Sequence, residues 1–153
     1  MHEYVIASIK NLPDQQLFKR HNWPLHLTLL GNFYSNIDQD LLLKLFSDSS
    51  KGIRKVKVKC KSKQMFGPNK NIPVMELVKT EELNDIHHGL YEALKTEITL
   101  ERPYINLKYY RPHVTDQADD KMHINDVFNL DSISLVELKD ETAVILATIK
   151  LKV

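Results

Sequence analysis

The sequence predicts a single α+β domain, for three reasons. The chain has 153 residues, 42% of them hydrophobic, which is enough to bury a core without metal or disulfide crosslinks. Strand-like runs and two amphipathic helical segments follow one another without the strict strand–helix–strand rhythm of a doubly wound parallel sheet. No linker or low-complexity segment divides the chain. We therefore expect one domain spanning residues 1–153, with antiparallel strands packed against helices.

The first half of the chain contains two predicted strands and one helix. Residues 3–9 and 25–33 have the composition of strands, and the segment between Pro13 and Arg20 is predicted as a loop or short helix. The segment Asp38 to Phe46 is predicted as a helix with one buried stripe. The stripe consists of Leu41, Leu42, Leu45 and Phe46.

The second half is predicted to place a long helix between two pairs of strands. The strands are expected near 53–63 and 73–78, and then at 132–138 and 143–153. The helix is expected from about Glu81 to Thr99.

Thr80 is the expected N-cap of this long helix, because its hydroxyl can accept from a free amide of the first turn. Two acidic residues follow it, which suits the positive end of the helix dipole. The apolar face is formed by Leu83, Ile86, Leu90, Leu94 and Ile98.

Two similar tripeptides, His26-Leu27-Thr28 and His113-Val114-Thr115, lie in opposite halves of the chain. Each is preceded by a proline and an aromatic residue and is predicted to be a strand. Because a strand projects alternate side chains to the same face, the histidine and threonine of each tripeptide should point together.

Two histidines and two threonines are the residue types that phosphoryl transfer requires. Imidazole has a pKa near 6.5, so one ring can act as general base while another acts as general acid. Two hydroxyls can hydrogen-bond the oxygens of a phosphodiester held between the rings. We therefore predict His26, Thr28, His113 and Thr115 as catalytic residues of a phosphodiesterase that needs neither metal nor cofactor.

The chain resembles the 2H phosphoesterase superfamily over nearly its whole length. The resemblance includes the Trp23-Pro24-Leu25-His26-Leu27-Thr28-Leu29-Leu30-Gly31 block, the Met65-Phe66-Gly67 segment and the Pro112-His113-Val114-Thr115 block. Family motifs usually continue with an apolar residue, as Leu29 does, whereas Asp116 follows the second motif here.

This resemblance implies a bilobal α+β fold and a particular reaction. The fold would consist of two antiparallel sheets with helices on their outer faces, related by a pseudo-twofold axis, with one motif from each lobe facing a central groove. The expected reaction is the opening of 2′,3′-cyclic phosphates at RNA or nucleotide ends. Two alternatives remain: cleavage of 2′,5′-linked oligonucleotides, and an inactive module that binds RNA ends.

A basic segment is the main feature outside the motifs. From Lys51 to Lys63 there are seven basic residues and no acidic one, and strand alternation places Lys55, Lys57, Lys59, Lys61 and Lys63 on one face. These lysines, Lys57 and Lys59 above all, would guide a nucleic-acid backbone into the groove. Alternatively, they would protect a solvated edge strand from aggregation.

Three further residues are candidates for substrate binding. Trp23 and Tyr110 are aromatic residues close to the motifs and could stack on a nucleobase, although aromatic residues are often part of the core. Arg111 shares the strand parity of His113 and could bind a phosphate, or form a surface ion pair. The other aromatic residues near the motifs are Phe33, Phe66, Tyr104 and Tyr109.

The cysteine content, two adjacent histidines and the length of the apolar runs bear on possible crosslinks, metal sites and location in the cell. Cys60 is the only cysteine, which excludes an intrachain disulfide and a cysteine-based zinc site. His87 and His88 are adjacent on the long helix, so we expect them in surface or half-buried positions. The first residues do not form a secretion signal, and no run approaches the roughly 18 apolar residues of a membrane span. We expect a cytoplasmic monomer that binds RNA ends or small cyclic or 2′,5′-linked nucleotides and does not bind membranes.

Overall fold

The computed structural model describes residues 1–103 and 107–153. Tyr104, one of the candidate aromatic residues, lies outside the described residues. Within them, the elements are β1 (His2–Ile9), β2 (Leu17–Lys19), β3 (His26–Ser35), α1 (Gln39–Ser50), β4 (Val56–Phe66), β5 (Ile72–Leu77), α2 (Glu81–Leu94), β6 (Thr99–Leu100), β7 (His113–Thr115), β8 (Val127–Leu130), β9 (Ser132–Leu138) and β10 (Thr142–Lys150). A short 3-10 turn, Leu107–Tyr109, precedes β7.

The strands form an antiparallel sheet in two halves. The strand order is β2-β10-β9-β1-β3-β7-β5-β4-β8, and β6 pairs with the far end of β3. The halves meet at β3 and β7, which pair through Leu27 and Val114. The α+β fold predicted from the sequence is therefore confirmed, and the two halves of the sheet meet at a short seam between the strands that carry the two tripeptides.

The main core lies on one face of this sheet, beneath both helices. Leu42 and Phe46 of α1 and Leu83 and Leu90 of α2 pack there with side chains from both halves of the sheet. A smaller apolar cluster occupies the opposite face of the N-terminal half. It contains Val5, Ala7, Ile9, Val136, Leu138, Ala143 and Ile145, with Phe18 and Trp23 packed against it. The helices thus leave the second face of the sheet open near the seam.

Two predicted elements differ from the structure. The segment predicted as a loop or short helix contains β2, which pairs with β10, a partner far away in sequence. Helix α2 ends at Leu94, and Thr99–Leu100 instead forms β6 beside Tyr34 and Phe33. The β-branched residues at positions 96, 98 and 99 disfavour helix and suit a strand, which explains the early end.

The two helices contain 12 and 14 residues. Among the described residues, no helix is long and apolar enough to cross a membrane.

Candidate active site

The two tripeptides lie side by side on antiparallel strands. Leu27 is directly opposite Val114, and both side chains are fully buried in the core beneath the helices. Because strand side chains alternate, the flanking histidines and threonines project to the open face. Continuation of the same register places His26 beside Thr115 and Thr28 beside His113. His26 and His113 are then diagonal neighbours, whose Cα atoms lie about 7–8 Å apart in antiparallel pairs.

This arrangement, which we name the histidine–threonine cluster (His26, Thr28, His113 and Thr115), opens onto a groove. The groove has a volume of about 570 Å³ and is lined by His26, Thr28 and Thr115, with Trp23 from the N-terminal half among the other lining residues. Among residues 1–103 and 107–153, no three histidine, cysteine, aspartate or glutamate side chains converge as a metal site requires.

Both histidines are oriented by the same hydrogen bond. Nδ1 of His26 lies 2.9 Å from the carbonyl oxygen of Pro24, and Nδ1 of His113 lies 2.8 Å from that of Arg111. A carbonyl oxygen can only accept, so Nδ1 carries the proton in each ring. Nε2 is therefore the nitrogen that can exchange a proton with a substrate in both cases.

The surroundings of both rings favour the neutral imidazole. Burial lowers the pKa of His26 to about 4, assisted by the positive charge that His113 acquires when protonated and opposed by the bond to Pro24. Burial also lowers the pKa of His113, while the bond to the Arg111 carbonyl and the nearby Glu76 carboxylate oppose this shift. A phosphate between the rings would favour their protonated forms, because an anion stabilises a nearby cation.

An aromatic ring flanks each histidine. The ring centroid of Trp23 lies 4.3 Å from that of His26, and Phe18 contacts the indole edge-on at 4.7 Å. The Phe66 ring meets His113 edge-on, with the centroids 4.7 Å apart. Trp23 thus lines the groove, and its stacking on a substrate base stays a prediction. The contact of Phe66 with His113 could not be assigned from the sequence, where Phe66 was one of several nearby aromatic residues.

Arg111 forms an ion pair at the rim of the site. Its Nε and a terminal nitrogen donate to the two carboxylate oxygens of Glu76 at 2.8 and 3.0 Å, and its guanidinium lies 4.4 Å from the centre of the Phe66 ring. The side chain remains 56% exposed, so it keeps donors for a substrate phosphate. Of the two interpretations from the sequence, the ion pair is formed, and binding of a phosphate stays a prediction.

Tyr110 is not available as a stacking platform, which corrects the prediction from the sequence. Its side chain is buried, and its hydroxyl donates to the carbonyl oxygen of Thr28 at 2.7 Å. The ring stacks on His87, with centroids 4.0 Å apart and planes 5° from parallel. Burial raises the pKa of Tyr110, so its hydroxyl remains a donor. Tyr110 therefore links the segment before β7 to the first tripeptide from the core side.

His87 is also buried, contrary to the expected surface or half-buried position. Its Nδ1 lies 2.6 Å from the carbonyl oxygen of Leu29, to which it donates. Burial lowers the pKa of His87, which favours the neutral ring. Tyr110 and His87 thus supply hydrogen bonds to β3 immediately beyond the Leu27–Val114 pair.

The basic strand is divided by a bulge at Lys61. Cys60 pairs with Leu77 and Ser62 with Glu76, so β4 has one extra residue and its side chains change faces there. Lys57 and Lys59 are exposed on the face opposite buried Val58, which is the face of the histidine–threonine cluster.

Lys63 lies beyond the bulge and pairs with core residue Met75, so it belongs to the other face. It donates to both carboxylate oxygens of Asp116 at 2.9 Å. The prediction of a single lysine face is therefore wrong for Lys63. The interpretation as an unpaired edge does not apply to Lys57 and Lys59, because β8 pairs with this part of β4.

Comparison with known proteins identifies the family. A family model described as the 2′-5′ RNA ligase superfamily matches residues 2–126, a range that contains both tripeptides. No curated protein matches the chain at a significant level.

Solved structures share the fold at low sequence identity. A crystal structure described as a phosphoesterase has a TM-score of 0.66 at 12% identity, with 99% of each chain covered. Escherichia coli LigT complexed with ATP has a TM-score of 0.63 at 12% identity, covering 99% of this chain and 98% of that one. The complex of LigT with 3′-AMP has a TM-score of 0.61 at 11% identity, with 99% of each chain covered. The matched family model, which spans most of the sequence, shows that this chain belongs to the 2′-5′ RNA ligase superfamily.

Proposed function

We propose that this protein is a metal-independent phosphodiesterase that opens 2′,3′-cyclic phosphates at RNA or nucleotide ends. The observation that carries the proposal is the antiparallel pairing of the tripeptides, which brings two histidines and two threonines to one open face. Membership of a family of phosphoesterases and RNA ligases supports an enzyme that acts on phosphodiester bonds.

The proposed reaction uses the histidine–threonine cluster in three roles. The hydroxyls of Thr28 and Thr115 donate to non-bridging oxygens and hold phosphorus between the two Nε2 atoms. One neutral imidazole takes a proton from a water molecule as the oxygen of that water bonds to phosphorus. The other imidazole is protonated, and it donates its proton to the ribose oxygen as the bond between that oxygen and phosphorus breaks. Each positioned proton transfer contributes about 10²- to 10⁴-fold to the rate.

The surroundings of the cluster suit a nucleotide substrate. Trp23 offers an aromatic face in the groove, and Arg111, whose backbone carbonyl orients His113, offers a partly exposed guanidinium. Lys57 and Lys59 lie two strands away from His113 on the same face and would contact the backbone of a longer RNA. LigT, which shares the fold, has been crystallised with 3′-AMP and with phosphate. Both tripeptides come from one chain, so a monomer would contain the complete cluster.

Two other functions fit the same geometry. A 2′,5′-phosphodiesterase would use one histidine to activate the neighbouring ribose hydroxyl in place of water. An inactive module would bind RNA ends through the groove without proton transfer. The intact set of two histidines and two threonines favours an enzyme over the module.

A substrate panel in the presence of EDTA tests the proposal. The panel contains nucleoside 2′,3′-cyclic phosphates, an RNA ending in a 2′,3′-cyclic phosphate and 2′,5′-linked oligoadenylate, each followed by chromatography. We expect turnover of the cyclic phosphates in EDTA at the rate seen without it. Turnover of 2′,5′-linked substrates alone would establish the first alternative, and binding without turnover would establish the second. Loss of activity in EDTA, restored by a divalent metal, would refute the mechanism.

A further inference from the structure

The two histidines of the cluster have chemically different neighbours. The seam between β3 and β7 lies at the centre of four strands, with β1 outside one tripeptide and β5 outside the other. On the outer side, the threonines have equivalent apolar neighbours: Ala7 opposes Thr28, and Val74 opposes Thr115.

The outer neighbours of the histidines differ in charge. Ile9 opposes His26, whereas Glu76 opposes His113. The local two-fold relationship is thus broken by a carboxylate beside one imidazole.

Glu76 is held in place as an ionised group. Its side chain is only 12% exposed, and both carboxylate oxygens accept from the guanidinium of Arg111. These hydrogen bonds are the largest cause of its lowered pKa. The same Arg111 accepts the Nδ1 proton of His113 at its backbone carbonyl, and Phe66 contacts both the guanidinium and the His113 ring. Glu76 therefore acts on His113 both through its charge and through Arg111.

We infer that Glu76 is a positioning residue that makes His113 the proton donor and leaves His26 as the base. This inference rests on the proposed function. As the water oxygen bonds to phosphorus, the water proton passes to Nε2 of His26. As the bond from phosphorus to the ribose oxygen breaks, the proton on Nε2 of His113 passes to that oxygen. The products are a ribose hydroxyl and a phosphomonoester, and the two histidines exchange protonation states.

The charges around each ring agree with this division. His113 faces Glu76 from β5, whose negative charge raises its pKa, and Arg111 from its own segment, whose positive charge lowers it. The positive charge of His113, once protonated, lowers the pKa of His26 across the seam. Lys61 of β4 acts on Glu76 and helps keep it ionised. Among the groups that shift the pKa of His26 there is no carboxylate, and burial beside Ile9 and Trp23 favours its neutral form. Protonation is thus more favourable at His113 than at His26.

Two variants with opposite expected effects test the inference. Glu76→Gln keeps the shape but removes the negative charge, so the pKa of His113 should fall by about 0.5–1 pH unit. Arg111→Gln removes a positive charge, so the same pKa should rise. Imidazole chemical shifts of His113 and His26 are measured by NMR across pH without substrate, and kcat/KM for a nucleoside 2′,3′-cyclic phosphate is measured in parallel.

The protonated donor is lost as pH rises through its pKa, so the alkaline limb of the kcat/KM profile should follow His113. This limb should move to lower pH in Glu76→Gln and to higher pH in Arg111→Gln, while the NMR midpoint of His26 changes less. Glu3→Gln is the matched control, because Glu3 also pairs with an arginine, Arg20, and its side chain is also 12% exposed. It should leave both histidine midpoints unchanged.

Each outcome decides a separate point. Shifts of the His113 midpoint in the same direction in both variants, or no shift, would overturn the role of Glu76. If the His113 midpoint moves and the acid limb of the kcat/KM profile moves with it, in place of the alkaline limb, then His113 is the base. That result would overturn the donor assignment. Absence of turnover on every substrate of the panel would refute the proposed function, and the NMR midpoints would still decide whether Glu76 controls protonation of His113.

Discussion

Leu27 faces Val114 across the seam of the sheet, and this apolar pair sets the position of the site on the opposite face. Each residue is flanked by a histidine and a threonine, and both are fully buried beneath the helices. Since a one-residue change in register would exchange the two faces, burial of this pair keeps all four polar side chains on the open face of the sheet.

Removal of either imidazole should abolish most turnover. His26→Ala and His113→Ala should each lower kcat by about 10²- to 10⁴-fold, because each variant loses one positioned proton transfer. The His26 and His113 side chains project to the open face of the sheet, away from the core beneath the helices, so circular dichroism spectra should match those of the unchanged protein. Activity within tenfold of wild type in either variant would contradict the two-histidine mechanism.

The threonines should contribute mainly by binding the phosphate. Thr28→Val and Thr115→Val keep the branched shape and remove the hydroxyl, so kcat should fall by about 10²-fold for each, as expected for loss of one donor to a developing negative charge. The measurement is the steady-state rate with a nucleoside 2′,3′-cyclic phosphate. Retention of full kcat in both variants would show that the hydroxyls do not contact the reacting phosphate.

Tyr110→Phe should weaken the seam. The change leaves the carbonyl oxygen of Thr28 without its donor, which costs about 1–3 kcal/mol in the free energy of unfolding. Urea denaturation measures this loss, and kcat should fall as well because Thr28 belongs to the cluster. The control is Tyr109→Phe, whose side chain is 61% exposed and whose loss should change stability by less than about 0.5 kcal/mol. Equal stability of the two variants would contradict the role given to Tyr110.

Protonation of His26 should destabilise the fold in acid. Its pKa of about 4 in the folded protein lies below the ordinary value of 6.5, so the unfolded chain binds more protons between these values. The stability that depends on neutral His26 is fully present above pH 6.5 and is lost as pH falls toward 4. The expected loss is on the order of 1–3 kcal/mol.

Urea denaturation at pH 7, 6 and 5 measures this contribution, with His26→Gln as the comparison. The variant should lose less stability on acidification than the unchanged protein, while His87 and His113 continue to contribute in both. Parallel pH dependence of the two proteins would show that His26 titrates normally in the folded state.

Three lysines of β4 should matter only for longer substrates. Replacement of Lys57, Lys59 and Lys61 by Gln should weaken binding of an oligonucleotide and reduce the slope of log affinity against log salt by up to about 2, since fewer counterions are released. The affinity for a mononucleotide and its saturated turnover should barely change.

A matched triple variant on the helix face controls for net charge in this experiment. Its positions are Lys44, Lys51 and Lys95, which lie on or immediately after α1 and α2. This variant should keep the oligonucleotide affinity and salt slope of the unchanged protein. Equal effects of the two triple variants would show that the lysines on β4 act only through net charge.

Local patterns made much of this protein predictable. The start of α2 follows the predicted N-cap, since the Thr80 hydroxyl accepts from the amide of Leu83 at 3.1 Å. The alternation of His26 with Leu27 and of His113 with Val114 predicted which side chains share a face, because the two-residue period of a strand is a property of its own backbone.

Relationships between distant segments required the tertiary structure. Burial of Tyr110, the change of face at Lys61 and the place of Glu76 beside His113 all depend on which strands pair and in which register. Hydrogen bonds between residues far apart in sequence set that register, and a single extra residue in one strand reverses the faces beyond it. The sequence by itself thus predicted which residues would carry the proposed chemistry, and it determined which way they alternate. Only the folded sheet decided the register in which the two tripeptides meet, and that His113, unlike His26, has a carboxylate as its neighbour on the adjacent strand.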